Sequence, residues 1–184
     1  KGPVILDARF GYLAKELMEA LGKKIVPSRV GHFFIKKLMA KKKISFAAEV
    51  SGHYYFALRS LGEGGFYIDS GIIAAIQFMN QELGIMNQGE KLSEWIDKLP
   101  RYYHSGELNF TVKNKEAVIK KIEEYFRKTA KKISYLDGVT MEFGSSADGW
   151  WFNMRPSNTE DLLRLNMEAK SEKVFAKQFS TLRS

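Results

Sequence analysis

A run of polar side chains near the C-terminus, residues 155–160, reads Arg-Pro-Ser-Asn-Thr-Glu and lies between two strand-like segments. The guanidinium of Arg155 is a planar fork of donors that fits a phosphate through two parallel hydrogen bonds. Ser157, Asn158 and Thr159 add short polar side chains, and the backbone N–H groups of such a loop can line a concavity suited to an anion. The pattern predicts a phosphate-binding loop. The alternative is a turn held by its own hydroxyl and amide groups.

A carboxylate, a hydroxyl and an imidazole occur within five residues earlier in the chain, at Glu49, Ser51 and His53. A carboxylate can accept hydrogen bonds from two adjacent sugar hydroxyls, and the hydroxyl of Ser51 adds a third polar contact. Alternating polar residues around Gly52 are also compatible with the plain end of a strand. Together with the anion loop, the segment indicates a phosphorylated sugar as the ligand.

The net charge of +8, from 29 Lys and Arg against 21 Asp and Glu, suits an anionic ligand. It would also suit nucleic acid or a membrane surface. The lysine clusters lie on predicted amphipathic helices, which favours solvated faces, and the basic residues do not alternate with aromatic residues along a strand. No apolar run reaches the length of a membrane span. We therefore expect neither a nucleic-acid partner nor a membrane partner.

The sequence contains no cysteine, which excludes disulfides and cysteine-based zinc sites. This composition is typical of a reducing compartment, so the cytoplasm is the expected location. The sequence opens at Lys1 without a methionine and directly before a strand-like run. We expect it to begin inside a longer protein.

Residues 1–99 alternate strand and helix patterns, which predicts an α/β domain with a mostly parallel mixed sheet. In such sheets ligands lie beyond the carboxyl ends of the strands. A possible hairpin arm follows at 54–58 and 65–68, and Asp69-Ser70 is expected to cap the next helix. The predicted strands are 4–8, 25–26 and 44–48, and the predicted helices are about 13–21, 31–41, 71–83 and 93–99.

Residues 100–105 are predicted to be a linker, and residues 106–184 have a different rhythm. Apolar and polar residues alternate in four strand-like runs, in the order β-α-β-β-β-α. The order predicts an α+β domain, with an antiparallel four-stranded sheet and two helices on one face. Asp148-Gly149 is the predicted turn between the second and third strands.

Four segments, taken in order, resemble the C-terminal half of an α-D-phosphohexomutase of the phosphomannomutase/phosphoglucomutase group. They are Leu6-Asp7-Ala8-Arg9, Arg29-Val30-Gly31-His32, the segment 49–53 and the segment 155–166, which is preceded by Asp148-Gly149-Trp150-Trp151-Phe152-Asn153. The resemblance covers nearly all 184 residues. It implies that residues 1–99 are the third domain of such an enzyme and that residues 106–184 are the fourth, with a sheet similar to one repeat of the TATA-box-binding fold.

The resemblance also implies roles for individual residues. The Glu49 loop, with Ser51, would read the sugar hydroxyls at C3 and C4, and the Arg155 loop would hold the phosphate that is not transferred. Arg9 and Arg29 match basic positions, where we interpret them as groups that steer the anion. His32 and His53 match positions near the reacting oxygen, where a histidine can assist proton transfer.

Family catalysis uses a phosphoserine as phosphoryl donor, a hexose 1,6-bisphosphate intermediate and a Mg²⁺ ion held by three aspartates. Neither the serine loop nor the aspartate cluster occurs in this sequence. The resemblance places both in the first two domains of the parent enzyme, so those domains are expected partners. The chain alone is expected to be inactive.

The sequence departs from the family pattern at two positions, Ala48 where glycine is usual and Asp161 where proline is usual. A methyl group at 48 could crowd the sugar loop, and a carboxylate at 161 would be unfavourable if it faced a phosphate. A phosphoglucosamine mutase fragment is an alternative, although Val50 and Asn158 are untypical of that group. A non-catalytic phosphosugar-binding module and a nucleic-acid-binding module are the other classes.

Overall fold

Two structural units divide the chain, one formed by residues 1–100 and the other by residues 101–184. The computed structural model describes residues 2–58, 65–144, 148–157 and 160–183. The second unit opens with a strand that begins at Tyr103, inside the predicted linker 100–105. Tyr103 and His104 pair with Ala169 and Glu168 of another strand. The predicted linker is therefore too long, because these backbone groups take part in a sheet ladder.

The first unit consists of strands and helices in near alternation. In chain order they are β1 (Val4–Asp7), α1 (Tyr12–Ala20), β2 (Ile25–Ser28), α2 (His32–Lys42), β3 (Phe46–Ala48), β4 (Tyr54–Leu58), β5 (Phe66–Asp69), α3 (Gly71–Met86) and α4 (Leu92–Asp97).

The five strands form one sheet in the order β2-β1-β3-β4-β5. β1 pairs in parallel with both β2 and β3, whereas β4 and β5 are antiparallel. The predicted mixed sheet and the β4–β5 hairpin are both confirmed. The hairpin is no separate arm, because β4 continues the sheet from β3.

Helices cover both faces of this sheet, as the predicted layered fold requires. On one face Ile5 and Tyr55 pack with Ile35 and Met39 of α2. On the other face Val4, Leu6 and Ala48 pack with Ala14 and Met18 of α1. β1 contributes to both clusters, which explains its continuous apolar run. The predicted cap of α3 is also present, since the N–H of Ile73 donates to the side chain of Ser70 over 3.2 Å.

The second unit is an α+β fold. Its elements are β6 (Tyr103–Phe110), α5 (Lys115–Phe126), β7 (Lys132–Ser134), β8 (Val139–Phe143), β9 (Trp150–Pro156), β10 (Leu163–Ala169) and α6 (Glu172–Arg183). The antiparallel sheet has the order β6-β10-β9-β8-β7, so it contains five strands and not the predicted four. The additional strand, β7, has only three residues. A segment of that length is too short to show the alternation by which strands are recognised.

Both helices of the second unit pack on one face of its sheet, as predicted. Their apolar residues form a single cluster with the inward side chains of β8, β9 and β10. Phe143 and Trp150 stack within this cluster with ring centroids 3.9 Å apart, and Phe126 of α5 meets both rings edge-on. Because side chains alternate along a strand, the intervening residues of β9 and β10 project from the opposite face. Within the described ranges, none of the helices is both long enough and apolar enough to cross a bilayer.

Gly138, directly before β8, is a glycine of the second unit whose replacement by alanine is expected to be strongly destabilising. Its φ is +65°, and a Cβ atom would lie 2.2 Å from the carbonyl oxygen of Met154 and 2.6 Å from Cβ of Arg155. The left-handed backbone costs about 1–2 kcal/mol for a residue with a Cβ, and overpacking costs a further ~1–3 kcal/mol. Denaturant titration of Gly138→Ala, followed by tryptophan fluorescence, should show the sum of these losses in the free energy of unfolding.

Gly106→Ala is the matched control for this change. Its φ is +66°, but a Cβ there has nothing within 4 Å. It should cost only the backbone term, about 1–2 kcal/mol. Equal losses in the two variants would show that the close approach of Gly138 to β9 has no energetic consequence.

Candidate functional site

Three loops meet at one edge of the first sheet, because β1, β2 and β3 are parallel and their carboxyl ends lie side by side. The predicted site residues that follow these strands are Arg9, Arg29, His32 and Glu49. Hydrogen bonds join the loops directly. The N–H of Gly31 donates to Glu49 Oε1 over 2.8 Å, and the N–H of Val50 donates to Asp7 Oδ2 over 3.0 Å.

The Glu49 loop is a tight hairpin between β3 and β4. The N–H of Glu49 donates to the carbonyl of His53 over 2.9 Å, and the N–H of Gly52 donates to the carbonyl of Glu49 over 3.0 Å. Gly52 closes the turn with a φ of +86°, a conformation that favours glycine. Ser51 and His53 are exposed, whereas Glu49 is only 5% exposed. The loop therefore presents two polar side chains beside a sheltered carboxylate.

The carboxylate of Glu49 is held from two sides. Gly31 donates to Oε1, and the hydroxyl of Tyr55 donates to Oε2. Burial of the phenol, and next its hydrogen bond to Glu49, raise the pKa of Tyr55 above its usual range, so the phenol stays protonated as the donor. An ionised carboxylate has about four acceptor directions, of which these contacts use two. The sequence analysis assigned no role to Tyr55.

Asp7 is a second residue whose role only the structure shows. It ends β1 and is buried. Its carboxylate accepts the backbone N–H of Arg9 over 2.7 Å and Nη2 of Arg9 over 2.8 Å, in addition to the N–H of Val50. Asp7 thus ties the loop after β1 to the Glu49 loop. Arg9 is itself buried, and its charge is shared with Asp7.

Arg29 lies on the loop after β2, and His32 is the first residue of α2. Both side chains are exposed. The guanidinium of Arg29 lies 4.2 Å above the ring of Phe34, a cation–π arrangement that holds the side chain against the helix. His53 Nδ1 lies 2.7 Å from Asp69 Oδ2. A carboxylate at Nδ1 orients the imidazole and leaves Nε2 as the nitrogen that can exchange a proton with a ligand.

The described residues offer no site for the magnesium ion that the resemblance implies. Over residues 2–58, 65–144, 148–157 and 160–183, no three His, Cys, Asp or Glu side chains are grouped so as to hold a metal.

Arg155, in the second unit, lies near the end of β9 on the face opposite the helices and is only 2% exposed. Its Nη2 donates to Glu107 Oε2 over 3.1 Å, and its Nε lies 3.9 Å from Asp137 Oδ2. The other oxygen of Glu107 accepts Nη1 of Arg164 over 2.9 Å. The sequence analysis did not identify these carboxylates, which come from β6 and from the turn before β8.

The turn after Arg155 is held partly by its own polar groups. The N–H of Ser157 donates to the carbonyl of Leu162 over 2.8 Å, and the N–H of Glu160 donates to Ser157 Oγ over 3.3 Å. These contacts correspond to the plain turn that the sequence analysis gave as the alternative. The predicted site residues Asn158 and Thr159 lie outside the described residues.

Both departures from the family pattern have a structural answer. Ala48 is buried and packs with Val4 and Leu6 in the core of the first unit. The side chain of Asp161 is 93% exposed and forms an ion pair with Lys115. The carboxylate at 161 therefore points to the surface.

An α/β unit with a polar cluster at the carboxyl ends of its strands, followed by an α+β unit, agrees with the family comparison. The sequence model of the phosphoglucomutase/phosphomannomutase alpha/beta/alpha domain III matches residues 1–103, and that of the phosphoglucomutase/phosphomannomutase C-terminal domain matches residues 107–183. The chain belongs to the phosphoglucomutase/phosphomannomutase family and corresponds to the C-terminal half of an α-D-phosphohexomutase.

Curated relatives have the same coverage. A phosphomannomutase of Methanocaldococcus jannaschii is 38% identical over 182 residues, which are 98% of this chain and 37% of that protein. A phosphomannomutase of Vibrio cholerae is 35% identical over 168 residues, which are 91% of this chain and 34% of that protein. The chain thus spans little more than a third of the length of these relatives.

Two solved structures share the fold. A phosphoglucomutase/phosphomannomutase family protein from Burkholderia thailandensis has a TM-score of 0.75 at 23% identity, covering 99% of this chain and 36% of that chain. The N-acetylphosphoglucosamine mutase of Aspergillus fumigatus, in complex with GlcNAc-6P and magnesium, has a TM-score of 0.64 at 13% identity, covering 99% of this chain and 40% of that chain. At these identities the similarity concerns the fold alone.

Proposed function

We propose that this chain supplies the sugar-binding and phosphate-binding domains of a phosphohexomutase that interconverts hexose 1-phosphates and hexose 6-phosphates. We refer to the longer protein of which this chain would be a part as the full-length mutase. Its phosphoserine and magnesium chemistry belongs to domains outside this chain. The observation that carries the proposal is the sheltered carboxylate of Glu49 at the carboxyl edge of the parallel strands, in a chain whose relatives are named phosphomannomutases.

The first unit is proposed to bind the sugar. Glu49 accepts hydrogen bonds from two adjacent hydroxyls, at C3 and C4, through the acceptor directions that Gly31 and Tyr55 do not use. Ser51 adds a contact from the exposed side of the loop. Glucose and mannose differ at C2, so a site that reads C3 and C4 accepts both epimers.

The arginines of this site are proposed to steer the phosphate, and its histidines to assist proton transfer. Arg29 is exposed and attracts the anion directly. Arg9 is paired with the buried carboxylate of Asp7 and contributes its charge from that position. His53, oriented by Asp69, and His32, at the start of α2, assist proton transfer at the reacting hydroxyl.

The second unit is proposed to bind the phosphate that is not transferred. Arg155 supplies the charge, and its Nε is a buried donor without a hydrogen-bond acceptor among the described residues. Phosphate oxygens are strong acceptors that fit a guanidinium edge. Ser157 and the adjoining residues Asn158 and Thr159 complete the proposed loop.

An NMR titration of the 184-residue chain, combined with an activity assay, tests the proposal. Inorganic phosphate should shift the amide signals of Ser157 and Glu160, whereas glucose 6-phosphate should also shift those of Gly31, Val50 and Gly52. The same chain, incubated with glucose 1-phosphate, glucose 1,6-bisphosphate and Mg²⁺, should show no turnover, because the sequence lacks the serine and aspartate loops of the family.

Glucose without phosphate and the Glu49→Ala chain are the controls. Glu49→Ala should abolish the shifts in the first unit and keep those in the second. Turnover by the chain alone would show that the phosphoserine and magnesium domains are not needed, and would overturn the proposed assignment of functions to the domains. Hexose phosphate shifts that avoid both loops would overturn the assigned sites.

A further inference from the structure

Tyr55 places a phenol hydroxyl against the Glu49 carboxylate from inside the first unit. The residue lies on β4, where its backbone pairs with Ala47 of β3, and it is 0% exposed. Its hydroxyl donates to Oε2 of Glu49, and the N–H of Gly31 donates to Oε1. Each carboxylate oxygen therefore has its own protein donor, so rotation of the carboxylate about its terminal bond would break both contacts.

Packing alone does not explain the hydroxyl at this position. The ring of Tyr55 belongs to the apolar cluster that includes Ile5, Ile35 and Met39. A phenylalanine ring would fill the same volume. A buried hydroxyl is costly unless it has a partner, and the partner of this hydroxyl is the one carboxylate that the proposed function assigns to the sugar.

We propose that Tyr55 is a positioning residue that sets the plane of the Glu49 carboxylate, so that its remaining acceptor directions meet two adjacent sugar hydroxyls. The inference rests on the proposed function of Glu49. A carboxylate that accepts two hydroxyls at once is effective only in a narrow range of orientations, and donors fixed in the protein hold that orientation before the ligand binds. The raised pKa of Tyr55 keeps the donor protonated at neutral pH.

The test is a comparison of substrates and variants in the full-length mutase. The substrates are glucose 1-phosphate, its 4-deoxy analogue and its 2-deoxy analogue. Under the proposed function, kcat/KM is lower for the 4-deoxy compound than for glucose 1-phosphate, because the hydroxyl that would donate to Glu49 is absent. In Tyr55→Phe this discrimination, measured as the ratio of kcat/KM values, should fall about three- to tenfold, the range for the net loss of one ordinary intramolecular hydrogen bond. Discrimination against the 2-deoxy compound should not change.

Tyr54→Phe is the matched control, since Tyr54 is the neighbouring residue on β4, is 38% exposed, and loses the same atom. It should leave both ratios unchanged. Tyr55→Met is a second variant without the hydroxyl, and thermal melting of all variants shows whether each is folded. Tyr55→Phe and Tyr55→Met should lose the same discrimination.

A merely structural role of Tyr55 predicts a different result. Rates with all three substrates would then fall by one common factor, and the ratios would stay constant, which would overturn the inference. Glu49→Ala separates this failure from failure of the proposed function. If Glu49→Ala abolishes the 4-deoxy discrimination while Tyr55→Phe keeps it, only the inference is wrong. If Glu49→Ala also keeps it, the sugar-binding role of Glu49 is wrong.

Discussion

Glu49→Ala is expected to lower kcat/KM of the full-length mutase roughly tenfold to a hundredfold, by a similar factor for glucose and mannose phosphates. The factor corresponds to the loss of about 1.5–3 kcal/mol from hydrogen bonds to a charged group. Glu49 is only 5% exposed, and its carboxylate is fixed by hydrogen bonds from Gly31 and Tyr55. We therefore do not expect another side chain to take over its contacts with the sugar. Steady-state kinetics with both epimers measure the effect.

The control for this variant is Glu124→Ala on α5. The side chain of Glu124 is 65% exposed and pairs with Lys120, so the same truncation should leave both rates unchanged. A loss confined to one epimer would show that Glu49 reads C2. A loss of the folded state, seen by thermal melting, would assign Glu49 to the stability of the loops that it joins.

Arg155→Lys is expected to raise the KM for hexose phosphates roughly tenfold, or about 1.4 kcal/mol, while kcat changes little. Lysine keeps the charge but lacks the planar fork, so one of two parallel bonds to the phosphate is lost. The phosphate held by this loop is proposed to be bound equally in the ground state and the transition state, which places the effect in KM.

The structure adds a stability effect to this prediction. The guanidinium of Arg155 is 2% exposed, donates to Glu107 and lies near Asp137. A lysine leaves these carboxylates with fewer donors, so the melting temperature of the second unit should also fall. Thermal melting of the 184-residue chain beside kinetics of the full-length mutase separates the two effects.

Glu107→Gln is the informative comparison for Arg155→Lys. It weakens the same ion pair from the other side, so it should destabilise the second unit without raising KM. If both variants raise KM equally, Arg155 acts only by supporting the sheet. If Arg155→Lys leaves KM unchanged, the residue does not belong to the phosphate site.

Most elements of the fold could be predicted because their signals are local. β1 is a continuous apolar run, since each of its faces packs against a helix. α1 and α3 have visible ends at Gly22 and Ser70, which stop and cap a helix. The strand β7 and the true start of β6 were missed, because both depend on pairing with strands that are distant along the chain.

The candidate site could be predicted only in part for the same reason. Glu49, Ser51 and His53 stand together in the sequence, and the type and spacing of these residues suffice to suggest a ligand. The sequence does not show which groups donate to Glu49, since Gly31 is 18 positions away and Tyr55 is on the next strand. The order of the strands in the sheet brings these groups to one edge, and that order cannot be predicted from any single segment.

A linear reading of the residues was sufficient to identify the family, the division into an α/β part and an α+β part, and the chemical types of the candidate site residues. Periodicity, caps and motifs are properties of neighbouring residues, so a linear reading recovers them. The pairing of the charges, in contrast, could be read only from the folded protein. Arg9 is bound to Asp7 and Arg155 to Glu107, while Asp161 pairs with Lys115 at the surface. Pairing depends on strand register and on burial, which arise when the sheets assemble.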